Sequence, residues 1–510
     1  MRALFRRITR AVKSVGWWRF AAGVAAGGAA LGLTYLLRLM RIGLFLPDVA
    51  VDFVVDRIPG EIEAFVIRTM GEGAKILGLV TALVVFLALS GALAMPFRRV
   101  QRRLRNRWTV LLAYAGVYAG AVLLVVLPLL GRGFLGTGTS SGVAFAVLSQ
   151  ILAGALYASV LDYLLVDVAS RHPEGFSPSR RQFIAGLGVL LFAGAVAVAG
   201  FGSFLGRSAR LTFARVEDLL AREVTPNEEF YRVTKNAVDP DVDPGSWRLT
   251  VDGLVTTQRT YTLQDLEAQV AATEHVTLEC ISNEVGGNLI STAGWRGIRL
   301  ADLLGASGVD ARADWVAFSC ADGYTVGVPL ARAMAPRSLL ALRMNDATLP
   351  RDHGFPARAI VPGLYGMFHA KWITRISLVQ GEFIGFWQQK GWSNRGEIRT
   401  TAIITTPAPD AIVRGTATIA GVAFAGDRGI ARVEVSADGG TTWADANIVP
   451  SALTGTLWVL WTYDWTPPAA GAYRILARAT DAGGIVQELA SVPPFPDGAA
   501  GYDAITLLVS

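Results

Sequence analysis

Thiol and imidazole side chains, the soft and borderline metal ligands, are scarce in this chain: two cysteines and four histidines among 510 residues. Cys280 lies in "HVTLECISNEVGG" and Cys320 in "WVAFSCADGY". Their separation excludes a compact cysteine-based zinc or iron–sulfur site. The pair could form one disulfide in an oxidising compartment, and spacing alone leaves that open. Cys320, flanked by apolar alternation, reads as a small buried hydrophobe. The setting of Cys280 is different. It ends the strand "VTLE" and enters "ISNEVGGN", whose Ser, Asn and Gly give polar groups and close backbone approach at a strand end, where ligands bind. A thiolate there is a soft metal ligand.

The elements that must position such a thiol lie in two very different halves. The chain is 52% hydrophobic and 17% charged, too apolar to be wholly soluble. Uncharged windows near the roughly 20 residues that cross a bilayer occur at Phe20–Leu37, Ile76–Met95, Trp108–Leu130, Gly142–Leu161 and Phe183–Leu205, and none follows Leu205. One such window could be a buried helix of a soluble protein, but five in succession predict a membrane bundle. The N-terminal arm (Arg2, Arg6, Arg7, Arg10, Lys13, Arg19), the loop "FRRVQRRLRNR" and the segment with Arg171, Arg180 and Arg181 are basic, so they are expected in the cytoplasm. Loop 38–75 mixes both signs of charge, loop 131–141 holds only Arg132, and both are expected outside. An odd number of spans starting inside leaves everything after Leu205 on the extracytoplasmic face of the cytoplasmic (inner) membrane. The net charge of +6 is largely this topological arginine, which argues against a nucleic-acid partner.

The spans contain no paired histidines, since His172, His275, His353 and His369 all lie outside them, and no membrane haem is expected. No Asp, Glu, Lys, Arg or His sits mid-span where a coupled transporter would need one. The section reads as an anchor in membrane lipid or a docking surface.

Residues 206–510 are soluble in composition. "WRLTVDGL" alternates Trp247, Leu249 and Val251 on one face and predicts a strand, and "RGIRLADLLGASG" predicts a short helix ended by glycine. From about residue 400, "ARVEVSADGGTTW", "WVLWTYDW" and "YRILARATDAGG" give short alternating strands with turn chemistry at Asp438-Gly439-Gly440, the pattern of an immunoglobulin-like β-sandwich. "RTTAIITTPAPDA" is expected to be the linker before it. The fold class is therefore multi-domain: a five-span α-helical membrane bundle (1–205), an α+β domain (206–398) and a C-terminal β-sandwich (399–510).

The blocks "TLECISNEVGGNLISTAGWRGIRLADLL", "YTVGVPLARAM" and "MNDATLPRDHGFPARAIVPGLYGMFHAKWITRISL" resemble, in order, those of the sulfite oxidase family of molybdopterin-dependent oxidoreductases, and "VEVSADGGTTW" with "ATDAGG" resembles that family's dimerisation domain. The resemblance covers about residues 225–510. It implies a molybdenum–molybdopterin cofactor, an oxidoreductase of the sulfite oxidase type and a homodimer. By position, it implies that Cys280 is the catalytic thiolate that binds molybdenum. It also implies that Asn283 in the same loop, His353 and Arg358 in "RDHGFPAR", and His369 and Lys371 in "FHAKW" hold the pterin and its phosphate, for which positive donors are suited. Phe230, Tyr231 and Arg232 in "FYR", together with Tyr324, match further cofactor-lining positions.

The departures bear on the substrate. Where the family follows the cysteine loop with oxyanion-gathering arginines, this chain has Glu284 and Val285, and where it has an active-site tyrosine after "FWQQKG", this chain has Trp392. Tryptophan has one N–H donor and no titratable hydroxyl. A neutral or less anionic small molecule is therefore expected in place of sulfite, with Trp392 in the catalytic set.

A cofactor of this kind is inserted in the cytoplasm, so its domain must fold before crossing the membrane. "SRRQFI" ahead of the fifth window then reads as a twin-arginine export signal; ordinary retention of positive charge would alone explain a pair, and the Ser before it, the Phe two after and the cofactor domain downstream favour the signal. Two functions follow: a membrane-anchored molybdenum enzyme transferring an oxygen atom and two electrons, or an exported, catalytically degenerate binding or assembly module. With no haem-attachment CxxCH and no iron–sulfur cysteine set in the sequence, the enzyme reading requires a separate cytochrome or quinone-linked electron partner.

Overall fold

The computed structural model describes residues 2–167 and 210–510, apart from 41, 71–72, 105, 138, 140–141 and 237–238. The fifth apolar window and the arginine pair Arg180-Arg181 lie outside the described residues. The chain divides into two compact units: Met1–Arg57, Glu72–Gly206 and Lys235–Ala237 form one, and Ile58–Gly71, Arg207–Thr234 and Val238–Ser510 form the other.

The first unit is helical, with α1 (Arg2–Leu39), α2 (Leu46–Arg57), α4 (Gly73–Ala94), α5 (Phe97–Leu104), α6 (Arg107–Ala121), continued by a π turn at Val122–Val126, and α7 (Gly142–Asp162); α3 (Gly60–Met70) belongs to the second unit. Four stretches, Trp17–Leu39, Gly73–Leu104, Arg107–Leu129 and Gly142–Leu165, are long and apolar enough to cross a membrane; they coincide with the first four windows of the sequence. Small residues let the helices approach closely, as expected where lipid removes the hydrophobic drive. A Cβ on Gly23 of α1 would stand 2.6 Å from Ala94 Cβ of α4, and one on Gly154 of α7 2.6 Å from Ala115 O of α6. Tyr157 Oη donates to Ser90 O at 2.6 Å. Arg107 and Asp162 pair at 2.7 Å where α6 begins and α7 ends.

The second unit contains four sheets. One runs β2 (Arg259–Tyr261), β1 (Leu249–Gly253), β10 (Ile373–Val379), β5 (Trp315–Cys320), β6 (Thr325–Pro329). Leu249 and Val251 alternate into its core with Trp247, Val316 and Phe318, as the sequence alternation requires. Another runs β17 (Gly455–Thr456), β3 (Ala272–Glu279), β4 (Ile290–Arg299), β7 (Leu339–Met344), β8 (Ala347–Thr348), with β9 (Arg358–Ile360) on β7. The predicted helix is Leu300–Gly305, burying Leu300, Leu303 and Leu304.

Two further sheets form the C-terminal sandwich: β11 (Thr401–Thr406), β13 (Ala417–Phe424), β18 (Val459–Trp465), β16 (Asn447–Ile448), and β12 (Ile412–Val413), β20 (Asp503–Val509), β19 (Gly471–Asp481), β14 (Ile430–Ser436), β15 (Ala444–Asp445). Between them Trp461, Ile475 and Leu507 are fully or nearly fully buried. In the turn after β14, Asp438 Oδ1 accepts from the amides of Thr441 and Thr442, each at 2.9 Å. The expected linker "RTTAIITTPAPDA" is corrected: Thr401–Thr406 is a buried strand paired with β13, because its β-branched residues fill a sheet better than they serve a solvated tether.

Candidate functional site

The site forms where β3 turns into β4. The two strands run antiparallel to the pair Glu279↔Ile290, and residues 280–289 make the connection. Cys280 N donates to Leu289 O and Asn283 N to Cys280 O, both at 2.9 Å. Asn283 braces the loop from inside: its Oδ1 accepts from Leu289 N at 2.9 Å and its Nδ2 donates to Glu279 Oε1 at 3.0 Å. A Cβ on Gly287 would stand 2.4 Å from Asn283 Oδ1, so this close approach requires glycine.

Cys280 is 7% exposed, with Sγ 3.0 Å from Ser282 Oγ. Burial raises its thiol above the ordinary range, so the thiolate needs a metal or another cation to displace its proton. Cys320 closes β5 in the other sheet, and both cysteines are buried free thiols. Tyr324 is buried close enough to both for its charge to interact with theirs; its Oη donates to Met367 O at 2.7 Å.

A cationic wall stands beside the thiol. Arg358 on β9 is 6% exposed; it donates through Nη1 to His353 O at 3.2 Å, and its guanidinium lies 5.1 Å from the Trp295 ring centroid. Its Nε is buried without a hydrogen-bond partner, as is Tyr231 Oη. Burial lowers the Arg358 pKa to about 10. Burial, and next to it the neighbouring Cys280, hold the Tyr231 phenol well above its usual range. Phe230 stacks on Tyr231 at 5.4 Å and meets His353 edge-on at 5.4 Å.

His353 is kept neutral, its pKa lowered to about 4 by burial and by Arg358, and its Nε2 donates to Asn227 O at 3.0 Å. Lys371 Nζ donates to Asp352 O at 3.1 Å and Val233 O at 3.3 Å. Gly354, at φ +116°, would bring a Cβ within 3.1 Å of the Lys371 backbone, so the chain can pass there only as glycine. Arg232 is half exposed and pairs with Asp352 at 2.9 Å.

Two expected site residues take other positions. His369 has both ring nitrogens committed: Nδ1 accepts from Val361 N at 3.2 Å and Nε2 donates to Leu364 O at 3.0 Å. Burial takes its pKa down to about 3. It braces the turn after β9 and has no donor to spare for a ligand. Trp392 is 5% exposed and packs edge-on to Phe495 at 5.1 Å, in an apolar cluster with Ile281 and Tyr365. Sequence reasoning missed Glu279. Its carboxyl is raised to about 7 by burial and one oxygen has no hydrogen-bond partner. The signal was an acidic residue ending the buried half of its strand, after Val276, Thr277 and Leu278.

These groups fit an anionic, metal-bearing cofactor. Arg358 and Tyr231 carry buried polar atoms without partners, Arg358 and Lys371 supply positive charge, and Cys280 supplies a buried thiol. No group of three or more His, Cys, Asp or Glu side chains able to hold a metal occurs among the described residues, so the donor set suits a metal that brings most of its own ligands.

Comparison with known proteins agrees with this geometry. Residues 236–387 match the oxidoreductase molybdopterin binding domain and residues 394–492 the Mo-co oxidoreductase dimerisation domain. The chain is 37% identical over 271 residues to the mitochondrial sulfite oxidase of Mus musculus, covering 44% of this chain and 49% of that one. It is 33% identical over 322 residues to the sulfite oxidase of Gallus gallus, covering 53% and 69%. The chain thus spans about half the length of its mammalian relative. The fold is similar to that of the sulfane dehydrogenase SoxCD from Paracoccus pantotrophus, with a TM-score of 0.50, 23% identity, and coverage of 56% of this chain and 80% of the other.

Proposed function

Because the chain belongs to the sulfite oxidase family of molybdopterin-dependent oxidoreductases, we propose that it is a membrane-anchored molybdenum enzyme. It transfers an oxygen atom and two electrons between water and a small substrate less anionic than sulfite. The observation that carries this reading is Cys280, a buried thiol at a strand end, together with buried, partnerless polar atoms on Arg358 and Tyr231.

When bound, the molybdenum–pterin group supplies the two-electron and oxo chemistry. The chain's residues bind and orient it. Cys280 gives up its proton and provides the thiolate, whose burial keeps water from competing for it. Arg358 and Lys371 neutralise the anionic pterin phosphate. Neutral His353 orients without adding a third charge, and Phe230, Tyr231 and Tyr324 wall the region from solvent. Arg232, already paired with Asp352, supports the outer edge. Asn283 and His369 are positioning residues that fix the loop and the turn on either side.

Glu284 and Val285 take the positions where oxyanion-gathering arginines are expected. Trp392 has no titratable hydroxyl. Both features favour a neutral substrate. The segment 58–71, expected outside from its charges, folds within the same compact unit as the C-terminal domains. This supports an extracytoplasmic position for all of them, reached through the fifth window after export by the arginine pair. A homodimer through the C-terminal sandwich and a separate cytochrome or quinone-linked electron partner complete the reading. The second reading, a degenerate binding or assembly module, draws on the same Glu284, Val285 and packed Trp392.

Metal and pterin analysis of full-length protein from molybdenum-sufficient cells, followed by a screen with artificial electron donors and acceptors, separates them. The enzyme reading expects about one molybdenum and one pterin per chain and faster turnover of a neutral substrate than of sulfite. Protein lacking both metal and pterin refutes it in favour of the module.

A further inference from the structure

The segment joining the first two candidate spans does more than connect them. Its helix α3 has 11 residues and packs on the stretch Phe386–Trp392, more than 300 residues later in the chain. Lys390 is the centre of the contact. Its Nζ donates to Ile58 O at 3.3 Å, pairs with Glu63 Oε2 at 3.7 Å, and lies 4.7 and 5.4 Å from the ring centroids of Phe386 and Trp387. Both partners of the ion pair are about nine-tenths buried. Gly60 fits tightly beneath, where a Cβ would stand 2.4 Å from Lys390 O and 2.9 Å from the Phe495 ring. Ala64 joins the apolar cluster that holds Trp392 and Phe495.

This contact reaches toward the site. Phe386, which Lys390 covers, stands 6.0 Å from Tyr324, one of the residues proposed to wall the cofactor region. A buried ammonium needs an anionic partner. With Glu63 present, that partner comes from the inter-span segment; without it, Lys390 would be satisfied by an anion arriving as ligand.

We propose that Glu63 is a positioning and specificity residue: it holds Lys390 against Phe386 and Trp387, pins the stretch that carries Trp392, and keeps that cation from recruiting small oxyanions. This deepens the proposed preference for a less anionic substrate and rests on that reading. It also makes the segment 58–71 a working part of the compact unit it folds with, because it supplies the residue that sets the charge at this wall.

The test compares full-length holoprotein with its Glu63→Gln, Glu63→Asp, Lys390→Met and Glu63→Gln/Lys390→Met variants, by hydrogen exchange of the peptide 383–396 and by calorimetric titration with sulfate. Glu63→Gln is expected to speed exchange in that peptide and to bind sulfate on the order of tenfold more tightly, the size of one partly buried charge pairing. Glu63→Asp should restore both, and the double variant should lose the gain in sulfate affinity. Unchanged exchange in Glu63→Gln overturns the pinning. Faster exchange with unchanged sulfate affinity, or a gain that survives Lys390→Met, overturns the specificity role. The exchange arm needs no turnover, so protein found without metal or pterin would sink the enzymatic reading while the latch itself is still measured.

Discussion

Arg358→Met separates a structural arginine from one placed to meet an anion. In the protein without cofactor, Arg358 is a buried cation with one donor unused. Burial lowers its pKa to about 10, well below that of a free guanidinium, which at about 1.4 kcal/mol per pH unit is a burden of about 3 kcal/mol on the folded state. Against this stand one charged hydrogen bond to His353 O, worth about 1.5–3 kcal/mol, and a long contact with Trp295, worth about 0.5–1 kcal/mol. The terms nearly cancel. The cofactor-free Met variant should therefore unfold within about 1 kcal/mol of wild type, whereas removing half of an internally satisfied ion pair costs about 3–5 kcal/mol. For a unit of this size that is a shift in Tm of only a few degrees. On the proposed role of the same guanidinium, pterin retention should fall at least about tenfold, one charge-assisted contact's worth. The assay pairs calorimetry of protein made in cells lacking the cofactor with pterin fluorescence of protein made in cells that supply it. A cofactor-free variant destabilised by several kcal/mol that still retains pterin would refute the reasoning.

The buried histidines set a pH dependence. The unfolded chain takes up protons below about 6.5, while folded His353 and His369 refuse them until about 4 and about 3; stability is therefore intact above 6.5 and lost as pH falls toward 4, by roughly 3 kcal/mol for His353 alone. Urea midpoints of cofactor-free protein between pH 7 and 4.5 should drop, and should drop less for His353→Gln, which keeps a donor for Asn227 O; equal slopes would contradict the assignment. Export is tested by replacing Arg180 and Arg181 together with lysine. The first four spans should insert and the C-terminal domains should stay inside, so digestion from the extracytoplasmic side that is unchanged from wild type counts against a twin-arginine signal.

Local pattern carried much of the architecture. The four described apolar helices, the strand at Leu249–Gly253 and the helix at Leu300–Gly305 lie where charge-free length and alternation put them, because each depends on burying one face of its own segment. Thr401–Thr406 was misread because a Pro-containing, Thr-rich stretch gives the same local signal as a tether, and only its pairing with β13 distinguishes the two. Helix α3 went unrecognised for a related reason: Ile62 and Phe65 are exposed, and the face it buries is defined by residues hundreds of positions away. At the site, Cys280 and the cationic stretches were legible through their resemblance to a family. The closed hydrogen bonding of His369 and the buried carboxyl of Glu279 depend on three-dimensional enclosure, which spacing does not encode.

The central claim is that Cys280 is the metal's protein ligand, and the most direct measurement is Cys280→Ser beside Cys320→Ser, with molybdenum content, pterin fluorescence and dye-linked activity read together on full-length protein. A serine hydroxyl is a harder and less polarisable donor than a thiolate, while Arg358 and Lys371 remain to hold the pterin. Cys280→Ser should therefore keep the fold and most of its pterin while turnover collapses, and Cys320→Ser should lose only about 1–3 kcal/mol of stability, the cost of a hydroxyl placed among apolar groups. A Cys280→Ser protein with unimpaired activity would contradict the account.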